Sequence, residues 1–381
     1  MINKSLDNIA IVFNGLYMGG AEKFGISLAN KFVENGHATS IIFFKKMDSP
    51  LLEQINSNIN IIYINRTSKY NFILHHQFNN ALQSNQINKV IIIGLLPLFL
   101  SRVFAFTKKS NIQYFLSLHS TIPASFKIFI ENFIFLRFAK KTDKVLFICK
   151  NQQQFYYTKY KFKPVLNDVI YNGVDINYFK PGVKSPAIDI KAKLQLKPTD
   201  KVIVLVATIR KEKGHTYAIE ALKYLHTHFP NKQHTHLIFI GGGNSEYLQE
   251  LQQLVNNNQL QHFVHFEGNQ KEVRDYYSIA DIFTLTSFSV ETFSIAALEA
   301  MSFGIPLSLT NIGGAAEMVI ENKNGLLSIA KNSTSIATTW ANLLDANLNK
   351  QAIRDIAVAN FSLPTMFTKY QATIFNPNLL S

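Results

Sequence analysis

The sequence predicts an α/β protein built from two doubly wound domains, and three observations carry that prediction. Short apolar runs alternate with helix-length amphipathic stretches along both halves of the chain. One of those runs, Val90–Ile93, is apolar at every position rather than every second one, as a parallel strand buried on both faces is. The alternation breaks once, at the Gly- and Pro-bearing stretch Asn172–Pro198, and then restarts. A chain of 381 residues has room for two compact domains. With 47% apolar and 17% charged residues it can fill large cores, which excludes a largely disordered chain.

In order, Ile9–Phe13 is a first strand ending at Asn14-Gly15, and Ala21–Asn35 is a helix with Phe24, Leu28 and Phe32 inward, stopped by Gly36. Ser40–Phe44, Ile59–Ile64, Val90–Ile93, Ile112–Leu118 and Lys144–Cys149 continue the strands. After the linker, Val202–Ala207 is a strand, Tyr217–His228 a helix, and Thr235–Ile240 a strand running into Gly241-Gly242-Gly243. Tyr247–Asn256 is a helix, Val264–Phe266 a strand and Val273–Ala280 a helix. Ile282–Thr286 is a strand, and Ser294–Ser302 is a helix closed by Gly304-Ile305-Pro306. The expected domains are 1–180 and 181–360, with a segment 361–381 that returns to the first domain. Two similar halves place the ligand in a cleft between them, at the carboxyl ends of the strands.

The charge is lopsided. Residues 1–180 hold 21 Lys+Arg against 9 Asp+Glu, a net of +12, whereas residues 181–381 hold 17 against 16. The excess is densest over 101–163, where 12 basic side chains face only Glu131 and Asp143. One domain is therefore expected to meet an anionic partner. Residues 122–140 set Phe126, Phe129, Ile130, Phe133 and Phe138 among Lys127, Arg137 and Lys140. Two readings stand side by side: an interfacial helix on anionic lipid, or a buried helix with a basic rim. The longest apolar stretch, Val90–Leu100, contains Pro97 and is too short to span a bilayer. The apolar run Ile9–Phe13 reads as a strand rather than a signal peptide. A single cysteine, Cys149, fits a reducing compartment. The expected location is cytoplasmic, peripheral on the inner face of the plasma membrane.

Four places could carry chemistry. Gly15 and Gly19-Gly20 lie between the first strand and its helix, where free amides can hold an anion. Their spacing is neither a dinucleotide fingerprint nor a Walker loop. Thr208–Gly214 brings Arg210 and Lys213 to a strand's carboxyl end, where cations can neutralise a leaving diphosphate. Glu291 and Glu299 stand eight residues apart. On one helix they would share roughly a face, with Glu291 at the helix start. The plainer alternative makes Glu291 a cap and Glu299 a structural ion-pair partner. His119 ends an apolar strand and faces the expected cleft. The pairs His226/His228 and His234/His236 lie in polar stretches without carboxylate partners, so no metal centre is expected.

Together these pieces resemble the family 4 glycosyltransferases of the two-domain GT-B type. The resemblance is carried by Gly19-Gly20-Ala21-Glu22, Asn172-Gly173-Val174-Asp175, Lys213-Gly214, Gly241-Gly242-Gly243, Glu291 with Glu299 and the following Ala300–Pro306, Gly313-Gly314 with Glu317, and Asn324-Gly325. It implies two Rossmann-like doubly wound domains facing across a cleft. It also implies a retaining transfer of sugar from a nucleotide diphosphate sugar, UDP-linked by preference, without cofactor or metal. The implied acceptor is a lipid-linked or cell-surface glycan such as lipopolysaccharide, capsule, O-antigen or glycolipid. Glu299 would hold ribose hydroxyls, and Glu291 sugar hydroxyls. The amides of Thr292, Phe293 and Ser294 would lie near the sugar or phosphate, with Gly242 also at the donor. Lys213 would pair with the diphosphate, Gly19 and Gly20 would admit the phosphates, and His119 would sit beside the transferred sugar.

There are departures from the pattern. Ala207-Thr208 stands where Gly-Arg is usual, which passes the phosphate contact to Arg210. Thr292 replaces a glycine beside the sugar, and Lys150 replaces a serine. Rival readings are a nucleotide-sugar epimerase or phosphorylase on the same fold, or a non-catalytic basic partner protein. A nucleic-acid binder is disfavoured because no recognised module is present.

Overall fold

A computed structural model describes residues 7–375 except 18, 67–72, 103–111, 124, 183–188 and 290. The chain divides into two units. One runs to Asn172 and takes back the chain from Met366, and the other is Gly173–Thr365.

The first unit is a parallel sheet of β1 (Asn8–Phe13), β2 (Ala38–Phe43), β3 (Asn60–Tyr63), β4 (Lys89–Ile93), β5 (Gln113–Leu118), β6 (Lys144–Phe147) and β7 (Leu166–Val169). The strand order is β3-β2-β1-β4-β5-β6-β7, so the winding reverses between β1 and β4. Ile11 pairs with Ile41 on one side and Ile91 on the other, and all three are fully buried. That central position explains why these strands read as unbroken apolar runs. Helix Gly20–Glu34 buries Phe24, Leu28 and Phe32 as its periodicity predicts. The run Val90–Leu100 is broken at Gly94, which has φ +87° and turns β4 into helix Leu95–Arg102. Pro97 is tolerated because it lies in the first turn, where amides have no helical partner. Among the described residues no helix is long and apolar enough to cross a membrane.

Residues 122–140 form helix Phe126–Phe135, capped by Ser125 Oγ on the Ile128 amide. Phe135 and Leu136 turn inward, and Phe129 stacks on Tyr160 at 4.8 Å. Phe126, Ile130, Phe133 and Ile134 turn outward, Phe126 being 77% exposed. The buried-helix reading therefore fails for this face. The strand expected to reach Cys149 stops at Phe147, because Cys149 caps helix Lys150–Lys159, its Sγ accepting from the Gln152 amide at 3.3 Å.

The second unit is a parallel sheet of β8 (Lys201–Val206), β9 (Thr235–Ile240), β10 (Val264–Phe266), β11 (Ile282–Leu285), β12 (Leu307–Thr310) and β13 (Gly325–Ser328). Its order, β10-β9-β8-β11-β12-β13, reverses between β8 and β11. Helix Ser333–Asp345 covers one face with Trp340, whose indole N–H donates to Thr284 Oγ1 at 3.1 Å. Where it is described, the expected linker is held by hydrogen bonds rather than loose. Arg354 donates to the carbonyls of Ile176 (2.8 Å) and Phe179 (3.1 Å), which fastens its start to the second unit. Asp189 caps a short helix, Ile190–Lys193, near its end. Residues 183–188 of that stretch, Pro186 included, lie outside the described residues. Helix Leu363–Phe375, most of it in the first unit, buries Tyr370 and Ile374 completely.

Candidate functional site

In the second unit, the loops that follow β8 and β11 flank the switch point, the usual place for a ligand on such a sheet. The loop after β8 runs through Arg210, makes one tight turn over Lys211–Lys213, and passes Gly214 into helix His215–His228. Gly214 has φ +73°, and any Cβ there would collide with the Thr286 carbonyl. Thr286 Oγ1 in turn donates to the Gly214 carbonyl at 2.9 Å. This contact clamps the Lys213 loop onto the loop after β11. Lys213 Nζ then donates to Glu291 Oε2 at 2.8 Å, with both side chains mostly buried. Ser287 Oγ approaches the same carboxylate oxygen at 3.4 Å.

Glu291 is not on the helix. Helix Ile295–Ser302 begins after Ser294, whose Oγ accepts from the Ala297 amide at 3.2 Å. The serine is the better cap because its short side chain reaches the third amide. Glu291 instead sits in the preceding loop, so neither face-sharing with Glu299 nor a capping role applies to it. That loop is held from beneath. The Gly314 amide donates to the Thr292 carbonyl at 2.7 Å, and Gly313, at φ +54°, leaves room for the Glu291 carbonyl. Phe293 is buried and packs on Phe361 at 5.7 Å.

Glu299 does lie on the helix, half-buried. Its Oε2 accepts from the buried Tyr277 hydroxyl at 2.9 Å. Burial, with the Glu299 carboxylate beside it, pushes the Tyr277 phenol well above its ordinary value, so it stays a donor. Arg210 is half-exposed and its Nε pairs with Glu212 at 3.1 Å. The Gly242 amide donates to Asn269 Oδ1 at 2.7 Å. The arrangement brings Lys213, Glu291 and Ser287 together at one point, with Arg210 on the same loop.

In the first unit, Gly19 precedes helix Gly20–Glu34 and Gly20 is its first residue. Glu22 folds back over this terminus toward Gly19, and burial raises its pKa above the ordinary carboxylate value. An incoming anion would have to displace it. His119 follows β5 on the other side of the β1/β4 switch point. Its Nε2 lies 2.9 Å from Ser117 Oγ, and its ring packs on Phe24 at 4.3 Å.

Sequence reasoning missed Tyr277, Thr286, Ser287 and Asn269, which hold the site residues, and His215, which burial lowers to a pKa of about 4. It also denied His236 a carboxylate partner. The structure gives it one: His236 Nε2 lies 3.3 Å from the buried Asp200 Oδ2, and Nδ1 lies 3.1 Å from His265. The carboxylate comes from the residue just before β8, on a neighbouring strand that local spacing does not reveal. Among the described residues, no group of three or more His, Cys, Asp or Glu converges to hold a metal ion.

Residues 187–357 match the family described as "Glycosyl transferases group 1", and residues 18–178 match "Glycosyltransferase Family 4". The chain belongs to this glycosyltransferase family. It is 30% identical over 197 residues to an uncharacterized glycosyltransferase of Methanocaldococcus jannaschii, covering 50% of this chain and 47% of the relative. An uncharacterized glycosyltransferase of Haemophilus influenzae is 22% identical and matches over 81% of this chain and 82% of its own. The chain spans about half the length of the first curated relatives it matches. Among solved structures, Anabaena HepE in complex with UDP superposes with a TM-score of 0.82 at 20% identity, covering 96% of this chain and 99% of that one. A Rickettsia africae glycosyltransferase gives 0.79 at 22% identity, over 98% and 100%. The fold, two parallel α/β sheets of the GT-B type, is shared with both.

Proposed function

We propose that the protein is a retaining glycosyltransferase that takes a nucleotide diphosphate sugar, UDP-linked by preference, and delivers the sugar to a lipid-linked or cell-surface glycan. The observation that carries this reading is the Lys213–Glu291 pair over the second unit's switch point. An ammonium there can take up the charge of a departing diphosphate, and a carboxylate beside it can accept from sugar hydroxyls. The bond from the anomeric carbon to the diphosphate oxygen breaks, and a bond to the acceptor oxygen forms. The acceptor's proton passes to the departing diphosphate, which leaves from the same face that the acceptor enters. Lys213 and Arg210 supply the positive charge, so the reaction needs no metal. Glu299, oriented by Tyr277, holds the ribose hydroxyls. UDP and glucose are present in the HepE structures, which supports the choice of donor. A lipopolysaccharide outer core galactosyltransferase shares the fold (TM-score 0.74), in keeping with an acceptor of that kind. The basic first unit, with the outward apolar face of helix Phe126–Phe135, attaches the protein peripherally to an anionic membrane on the cytoplasmic side.

Calorimetric titration with UDP tests the donor site. Glu299→Ala should weaken binding on the order of tenfold or more, the scale of a hydrogen bond to a charged group. Unchanged affinity would remove Glu299 from the site. A hydrolysis screen over UDP-, GDP- and other nucleotide sugars identifies the donor, and conversion without release of nucleotide would instead favour an epimerase.

A further inference from the structure

We infer that Tyr370 and Ser117 are positioning residues that hold His119 in one tautomer, with Nε2 accepting and Nδ1–H left to donate to a carbohydrate hydroxyl. The identity of that ligand rests on the proposed function, whereas the tautomer does not.

Ser117 and Tyr370 are both completely buried. Ser117 Oγ lies 2.9 Å from His119 Nε2 and 3.1 Å from Tyr370 Oη. Among the described residues, the Tyr370 hydroxyl has no other hydrogen-bond partner. A buried phenol loses most when its proton is left unpaired, so Tyr370 donates to Ser117. Ser117 has one proton to give, and the neighbour left to receive it is His119 Nε2. A neutral imidazole whose Nε2 accepts carries its proton on Nδ1. The reverse arrangement, with Nε2–H donating to Ser117, would turn the serine proton toward Tyr370 and strand the phenol proton.

Desolvation of the ring against its packed neighbours holds the His119 pKa below its ordinary value, so the ring is neutral at neutral pH. Phe24 fixes the ring on its other side and itself packs on Tyr370 at 5.5 Å between ring centres. His119 is only half-buried, and Nδ1 is not among the buried unpaired atoms. With Nε2 accepting, the Nδ1–H is the donor this ring has left, at the carboxyl end of β5. One neutral donor in a fixed direction suits a hydroxyl oxygen and does not suit a cation. The C-terminal helix, far along the chain, thus sets the hydrogen-bonding sense of a residue at the sheet edge.

Long-range proton–nitrogen correlation spectra of protein carrying labelled histidine test the inference. The His119 signals are assigned by their loss in His119→Gln. Wild-type protein should show a protonated Nδ1 and a bare Nε2 at this ring. Tyr370→Phe and Ser117→Ala should each convert it to a mixture, and Ser117→Thr, which keeps the hydroxyl, should restore the single form. Turnover with the donor found by the hydrolysis screen should fall roughly fivefold in kcat for Tyr370→Phe, the scale of one neutral hydrogen bond, with UDP affinity unchanged. A protonated Nε2 in the wild-type protein would overturn the inference. So would a Tyr370→Phe ring identical to wild type with undiminished kcat. A protonated Nδ1 in a protein that transfers no sugar would strike down the proposed function and leave the tautomer lock standing.

Discussion

Lys213 Nζ and Glu291 Oε2, 2.8 Å apart and mostly buried, satisfy each other's charge. A diphosphate oxygen is a strong partner for an ammonium, and the carboxylate released from the pair finds donors in sugar hydroxyls. Under the proposed function, the contact would exchange partners as the donor binds and as the leaving group gains charge. Lys213→Ala should lower kcat on the order of a hundredfold, with Lys213→Arg recovering part of it, read in steady-state turnover. An unchanged kcat would show that the lysine only supports the loop. At this scale the sequence exposed the charged groups and hid their supports. Lys213-Gly214 and Glu291 could be read because their types and neighbours are unusual together. Tyr277, which donates to Glu299, is 22 residues away, and Ser117 and Tyr370 are separated by 253. Nothing in local spacing links residues that far apart, and a buried tyrosine reads as ordinary core. The placing of Glu291 on a helix failed for a local reason: Ser294 makes the better cap, so the helix starts three residues later than a Glu291 cap would require.

Helix Phe126–Phe135 has one inward side, anchored by Phe129 and Phe135, and an outward side of Phe126, Ile130, Phe133 and Ile134. Lys127, Arg137 and Lys140 border it and are exposed, and the Arg137 guanidinium lies over the Phe133 ring at 4.5 Å. Apolar side chains ringed by cations suit an anionic lipid surface, where the rings enter the interface and the cations meet headgroups. The triple change Phe126→Ser, Ile130→Ser, Ile134→Ser should abolish flotation with vesicles rich in anionic lipid. The melting temperature should hardly move, because the outward positions contribute little to the core. Added salt should weaken binding of the unaltered protein. Flotation indifferent to the triple change would leave the apolar face without this role. Elements of this size were legible where apolar residues ran together. Central strands such as β4 and β9 stood out, whereas β7, with sequence Leu-Asn-Asp-Val at the sheet edge, and β12, Leu-Ser-Leu-Thr, passed unnamed. β12 is fully buried, yet its Ser308 and Thr310 break the apolar run.

Among the described residues, six histidines are held below their ordinary proton affinity. His75 and His119 lie in the first unit, and His215, His226, His236 and His265 lie in the second. Burial is the main cause in each, and His236 is also opposed by His265 even though Asp200 draws it the other way. His119 falls to about 3, and His215 and His236 to about 4. In the unfolded chain these rings titrate near 6.5. Below that pH the unfolded state binds more protons than the folded one, so stability falls as pH falls. The contribution is fully present above pH ~6.5 and fades as pH drops toward about 4 for His215 and His236 and about 3 for His119, by at most roughly 1.4 kcal/mol per pH unit for a ring that stays neutral in the fold, and less where the ring is partly exposed. With four of the six rings in the second unit, its unfolding transition should shift downward further than the first unit's between neutral and mildly acidic buffer. Scanning calorimetry in buffers of different ionisation enthalpy measures both the shift and the protons taken up on unfolding. His236→Phe with His265→Gln should flatten the pH dependence of the second transition, because it removes two rings that charge on unfolding. A transition temperature equally insensitive to pH in the native protein and in that variant would mean that these rings already accept protons in the folded state. The packing around β9 and β10 would then be far looser than the stacking of His236 on His265, 5.4 Å between ring centres, implies.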